Sequence, residues 1–140
     1  NQQYRSRLSD LVRGLQLDDL IHLELPVPRD QMPRLLSRFD VLILPSTLEA
    51  LPRIMQEAMA MGLLVIATTT GGSGELLVHE QTGLAFEAEN PPSLARQLSR
   101  SLTDSDLALR LADRGCQAVR DNFDIRQTID GIEDYLLGLL

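Results

Sequence analysis

The sequence is short of several things, and each shortage narrows what the chain can be. It has one cysteine, Cys116, so an internal disulfide is excluded and a reducing compartment fits. That cysteine lies in a segment of helical periodicity, where a small packed or half-exposed thiol is expected rather than a nucleophile. Basic residues are scarce: 13 Lys and Arg stand against 20 Asp and Glu, a formal charge of −7. A broad basic face for nucleic acid or an anionic membrane is thereby excluded, although backbone N–H groups and a few Arg can still build a local anion site. No apolar run approaches the roughly 18–20 residues of a membrane-spanning helix, and no signal-peptide pattern opens the chain. Of the two histidines, neither His22 nor His79 has a ligand partner at metal spacing, so both are expected to be structural or exposed and no metal site is expected. Internal repeats and low-complexity tracts are missing too.

What remains is the composition of a soluble globular protein, 44% hydrophobic and 24% charged, with one domain's worth of chain. The chain opens on Asn1 rather than Met and enters a helical pattern at once, as expected of a piece of a longer protein. Tyr4, Leu8, Leu11, Val12 and Leu15 predict a helix over 2–15. "IHLEL", Ile21–Leu25, alternates as a strand with one covered face and ends at Pro26 and Pro28. "RDQMPRLLSRF" predicts a short helix with Asp30 as N-cap and Pro33 in its first turn. "DVLILP", Asp40–Pro45, and "LLVIATTT", Leu63–Thr70, are apolar runs between breakers, which predicts strands buried on both faces. A helix from Pro52 closes at Gly62, the Gly-rich "GGSGELLVHE" enters a short helix capped by Ser73, and "TGLAF" is a last strand. Three helices follow, over about 91–103, 105–122 and 124–139, opened by Pro91–Pro92, Ser105 and Asp124. Strands alternating with helices predict an α/β fold: a Rossmann-like open parallel sheet with helices on both faces, its ligand beyond the carboxyl ends of the strands.

Two loops therefore carry the search, those after Leu44 and after Ala67. In the helix from Pro52, Ile54, Ala58 and Met61 fall on one face and Met55 and Met59 widen it. Glu57 sits at the edge of that apolar stripe. A carboxylate there escapes to water, meets an Arg such as Arg53, or accepts hydrogen bonds from a ligand. The loop Ser46–Leu51 presents backbone N–H groups near a helix N-terminus, a ready anion site, and also carries Glu49. Two carboxylates converging beside an anion site suit a ligand that combines phosphate with sugar hydroxyls. Gly71, Gly72 and Gly74 let a backbone come close to a ligand, and Glu75 suits the dipole of the following helix; alone, such a loop is weak evidence.

The stretch "PSTLEALPRIMQEAMAMGLLVIATTTGGSGELLVHEQTGLAF", residues 45–86, resembles the C-terminal donor-binding domain of retaining family 4 glycosyltransferases of the GT-B fold. Their pattern runs roughly P-S-x-x-E-G-x-P-x-x-x-x-E-A-M-A-x-G-x-P-V-I-A-T, then G-G-x-x-E, then x-T-G-x-L. The resemblance implies hexosyl transfer from a UDP- or GDP-sugar with retention, in polysaccharide or glycolipid synthesis, without a cofactor or a metal. By position in the motif, Glu49 would contact the transferred sugar as the catalytic-site carboxylate, and Glu57 would hold the ribose hydroxyls. Ser46 and the amides of Ala50 and Leu51 would face sugar and diphosphate, Gly71, Gly72 and Glu75 would line the next wall, and Val27 and Pro28 would bracket the base.

The sequence departs from the pattern at Ala50 and Leu25, where the family has Gly, and at Leu64, where it has Pro. The family's first two donor-domain strands and its N-terminal acceptor domain have no counterpart in the 140 residues. The chain is thus expected to be a single partial nucleotide-sugar-binding domain that transfers no sugar alone. Its gapped sheet is expected to rearrange or to borrow strands, as in a strand-exchanged homo-oligomer. The resemblance places the full-length enzyme in the cytoplasm, or peripherally at the inner face of the membrane. Two other readings compete: a nucleotide-sugar epimerase relative, which needs a His or Asp facing the sugar, and a non-catalytic binding or assembly module, which has no use for both Glu49 and Glu57.

Overall fold

The computed structural model describes residues 2–139, and these fall into two compact units, 2–32 and 33–139. In the first unit, α1 (Gln2–Gly14) forms as its periodicity predicts, but none of its residues is fully buried: Leu8 and Val12 are half-buried, Tyr4 and Leu11 exposed, and Leu15 just beyond it is exposed too. The strand expected over Ile21–Leu25 does not form. Those residues are unpaired coil, with Ile21 and Leu25 exposed. A strand exists only by pairing, and here the carbonyls of Leu23 and Glu24 accept from the guanidinium of Arg5 instead. After Val27 and Pro28 comes a 3₁₀ turn, Arg29–Gln31, in which Asp30 lies inside the turn and caps nothing. A helix α2 (Met32–Leu36) follows, with Pro33 in its first turn as expected.

The second unit holds the sheet: β1 (Val41–Leu44), β2 (Leu64–Ala67) and β3 (Leu84–Ala85), all parallel in the order β1-β2-β3. Val41 pairs with Leu64 and Leu44 with Ala67, while Ile66 and Ala67 pair with Leu84 and Ala85. Only β2 meets the expectation of full burial. All four of its residues are buried, and because successive residues point to opposite faces, both faces of the sheet are covered there. β1 is an edge strand and keeps Ile43 38% exposed, so its apolar run is less covered than its composition predicts. Leu64, Ile66, Leu84 and Phe86 pack on Leu107, Leu111 and Ala112, with Leu94 and Leu98 beside them. Helices therefore flank the sheet on both sides, as the alternation of elements predicts.

Capping residues set where the helices start and stop. In α3 (Arg53–Ala60), Pro52 is the N-cap, and Gly62 at φ +80° closes the helix. Gly62 N–H donates to Met59 O at 2.9 Å and Leu63 N–H to Ala58 O at 3.0 Å, the paired bonds of a left-handed C-terminal cap. The buried face of α3 is Met55, Ala58 and Met59; Met61 is exposed, so the stripe is centred one position away from that expected. Asn90 Oδ1 caps α5 (Pro91–Thr103) at Ser93 N–H, Asp104 Oδ1 caps α6 (Ser105–Asn122) at Leu107 N–H, and Asp124 Oδ1 caps α7 (Ile125–Leu137) at Arg126 N–H. Ser105 is the first residue of its helix, as expected. Ser73, expected as a cap, opens α4 (Ser73–Leu76) without capping it. Cys116 is half-buried in α6 with its thiol against Ala60 O at 3.5 Å, as its setting predicts.

Candidate functional site

The loops after β1 and β2 lie against each other at the carboxyl ends of the strands. Glu49 and Gly71 form a parallel bridge, and Gly72 N–H donates to Glu49 O at 2.9 Å. The reason for glycine is geometric. A Cβ on Gly71 would lie 2.1 Å from Glu49 O, and one on Gly72 would lie 1.4 Å from Ala50 O. Gly71 also holds φ at +64°. The close approach expected of these glycines is thus made to the partner loop's backbone, and it fixes where Glu49, Ala50 and Leu51 sit.

Hydroxyls complete the anchoring. Ser46 Oγ donates to Glu49 Oε1 at 2.7 Å. Ser46 O in turn accepts from Thr68 Oγ1, and from Thr70 Oγ1 at 3.3 Å. Thr68 is buried at the end of β2, so the carboxylate of Glu49 is tied through Ser46 to the central strand. Glu49 itself is half-buried, and one of its oxygens takes no protein bond. The periodicity of "LLVIATTT" did not reveal this chain of hydroxyls; its only signal was a run of three Thr where a buried strand ends.

Glu57 stands in the second turn of α3, half-buried, and among the described residues no donor reaches its carboxylate. Arg53, one turn back, is exposed and makes no ion pair with it. The amides of Ala50 and Leu51 have no acceptor among the described residues, and the first-turn amides of α3 add unfilled donors beside them. The arrangement is therefore an anion-accepting backbone flanked by two carboxylates with open hydrogen-bonding capacity. Such a set can hold a phosphate through N–H groups and vicinal hydroxyls through carboxylates.

The remaining expected site residues are placed as follows. Glu75 is exposed in the first turn of α4, next to the glycine loop. Val27 is half-buried and Pro28 exposed, and both belong to the first unit, where Pro28 O accepts from Gln31 N–H at 3.0 Å. His22 is exposed. His79 Nδ1 accepts from Ala85 N–H at 3.0 Å, and its Nε2 lies 3.7 Å from Glu80 Oε1. Glu80 is held below the usual carboxylate range by the hydrogen bond from Arg100, then by that guanidinium's charge, with a smaller effect from His79. No cluster of three metal-ligating side chains occurs among the described residues, and no described helix is long and apolar enough to cross a membrane.

Residues 1–117 match the family described as glycosyl transferases group 1. The chain is 30% identical over 129 residues to the D-inositol 3-phosphate glycosyltransferase of Salinispora tropica, covering 92% of this chain and 27% of that protein. Its fold superposes on Anabaena HepE, solved in complex with UDP, with a TM-score of 0.90 at 25% identity, over 98% of this chain and 37% of the other. It also superposes on the C-terminal domain of a group 1 glycosyl transferase, LpcC, from Francisella tularensis, with a TM-score of 0.80 at 25% identity, over 88% of this chain and 64% of that one. The chain spans between 19% and 34% of the length of eight curated relatives it matches. The chain belongs to the glycosyl transferases group 1 family.

Proposed function

We propose that this chain forms the donor-binding part of a retaining glycosyltransferase that moves a hexosyl group from a UDP- or GDP-sugar to a hydroxylated acceptor. The observation that carries the reading is Glu57: a half-buried carboxylate beside an apolar helix face, with no protein partner among the described residues. Such a group keeps its acceptor capacity open for the hydroxyls of a ligand. The ribose hydroxyls of a nucleotide would fill it, and the unfilled amides of Ala50 and Leu51 would donate to the diphosphate beside it.

In this reading Glu49 receives the hydroxyls of the transferred sugar. Its tie to Ser46 leaves one carboxylate oxygen for that task and holds the group still, so orientation is already set before the donor arrives. The first turn of α3 and the amides before it neutralise the diphosphate charge that develops as the leaving group departs. Gly71 and Gly72 act by bringing the second loop onto the first, and Glu75 by closing the wall. Val27 and Pro28 are assigned to the base. The acceptor is bound by a further part of the protein, so the chain by itself transfers no sugar.

Calorimetric titration of UDP and GDP into the chain and into its Glu57→Gln variant tests the assignment. Loss of two charge-assisted hydrogen bonds is expected to weaken binding by about tenfold or more. Equal affinity in both proteins would remove Glu57 from the site.

A further inference from the structure

A second concavity, a cleft of about 540 Å³, opens beyond the carboxyl ends of β2 and β3. Its size falls in the range of small-ligand sites, about 300–1,000 Å³. Thr69, Thr70, Phe86, Glu87, Arg96 and Gln97 line it. We propose that this cleft is a carbohydrate subsite, which takes the hydroxyls of a neutral sugar unit distinct from the donor.

The argument starts at Gln97, which is only 8% exposed. Its Oε1 accepts from Arg100 Nη1 at 3.2 Å, and the same nitrogen holds Glu80 Oε1 at 2.7 Å. The oxygen is therefore committed to Arg100, a residue outside the cleft lining, which fixes the orientation of the amide. Its Nε2, with two N–H donors, has no acceptor among the described residues. Gln97 lines the cleft, so these donors are open to whatever fills it. Next to it in the chain and also in the lining, Arg96 is exposed and makes no ion pair or hydrogen bond among the described residues. Glu87, also in the lining, has an Oε2 that accepts from Asn90 Nδ2 at 2.6 Å and an Oε1 without a donor among the described residues. Thr69 adds a hydroxyl that makes no hydrogen bond among the described residues.

The cleft thus offers donors, an acceptor and a hydroxyl around an apolar floor that includes Phe86. Free anions fit it poorly. The carboxylate of Glu87 lies in the wall, and the start of α5 has no N–H to give: Pro91 and Pro92 lack one and that of Ser93 is bound to Asn90 Oδ1 at 3.0 Å. A wholly apolar ligand would strand Gln97 and Arg96. Sugar hydroxyls both donate and accept, so vicinal pairs satisfy a carboxylate and a guanidinium together.

The location gives the subsite its use. Thr70 lines the cleft and also donates to Ser46 O, while Ser46 Oγ donates to Glu49 Oε1. A sugar in the cleft would be linked through Thr70 and Ser46 to the carboxylate assigned to the transferred hexose, where it can hold a further unit of a glycan engaged by the full-length protein. That use rests on the proposed function; the binding itself does not.

The test is an NMR titration of the chain with maltose. The expected result is a shift of the Gln97 side-chain amide and of the Glu87 and Ala88 backbone amides, with a Kd of about 1–10 mM. Arg96→Ala and Glu87→Gln, both at exposed positions, should keep the fold and each weaken maltose by about fivefold or more. UDP should leave these shifts in place. An unshifted Gln97 amide would overturn the proposal, as would maltose shifts confined to Ala50 and Leu51. Inorganic phosphate binding more tightly than maltose would also overturn it, in favour of an anion site. Maltose binding without UDP binding would refute the donor reading and leave the subsite standing; the converse would remove the subsite alone.

Discussion

Replacing Gly72 by Ala puts the loop pair to a direct test. The backbone of Gly72 holds φ −69° and ψ −9°, which any residue adopts, so the substitution carries no dihedral strain. Its cost comes only from the contact: the new Cβ would lie 1.4 Å from Ala50 O and 2.6 Å from the carbonyl carbon. Both neighbours are backbone, so the loops must part. Parting breaks the 2.9 Å bond from Gly72 N–H to Glu49 O, a net loss of about 0.5–1.5 kcal/mol. Backbone displacement of this overpacked kind adds about 1–3 kcal/mol. The expected destabilisation is therefore about 2–4 kcal/mol, read as a fall in the urea midpoint at unchanged slope. Gly62→Ala supplies the opposite case, because Gly62 has φ +80° and no atom within 4 Å of a new Cβ. Its cost is dihedral strain alone, about 1–2 kcal/mol. Faster amide exchange at Ala50 and Leu51 is expected in the Gly72 variant and not in the Gly62 variant. A Gly72→Ala protein as stable as wild type, with those amides unchanged, would falsify the account of how the site is held.

Other consequences follow from single groups. Ser73 Oγ is buried without a partner among the described residues, so Ser73→Ala should be neutral or raise stability by up to about 1–2 kcal/mol in urea unfolding; a loss of that size would mean that the hydroxyl is satisfied. Thr68→Val keeps the shape but removes the bond to Ser46 O; it should cost about 1 kcal/mol and weaken UDP-glucose more than UDP in calorimetry, since it loosens Glu49 and leaves Glu57 alone. Met59→Ala, at a fully buried position, should lower stability by about 2–5 kcal/mol, and a smaller loss would show that α3 repacks. Glu80 has its folded pKa lowered by Arg100, so its contribution is present above the unfolded carboxylate pKa and is lost as pH falls through the folded one. Arg100→Gln should flatten that acid limb in unfolding curves measured across pH, and an unchanged limb would show the pair to be without effect.

Much of the second unit was legible along the chain. The apolar run "LVIA" between breakers, the Gly62 stop and the Asp124 cap follow from local rules, and the structure contains each of them. The motif residues Glu49 and Glu57 also stood out, because a carboxylate beside an apolar stripe conflicts with packing. Strand formation at Ile21–Leu25 did not follow from alternation, since a strand needs a neighbour that the local pattern does not supply. Burial of β1 failed for a related reason: composition reports what a strand tolerates, whereas its position in the sheet sets what covers it. Ser73 was misplaced as a cap because cap identity depends on the dihedral of one residue, and neighbours of similar type compete for it.

By itself, the sequence determined the α/β order, the helix ends and the pair of acidic residues flanking Pro52, because these depend on periodicity, capping and motif spacing within a few residues. Only the tertiary structure decided what Gly71 and Gly72 are for, which hydroxyls hold Glu49, and that Gln97 turns its amide donors toward a cleft. Those facts join residues far apart in the chain, such as Ser46 with Thr68, or Glu80 with Arg100. The register of a parallel sheet and the packing of α5 beside it bring them together, and no local pattern encodes that distance.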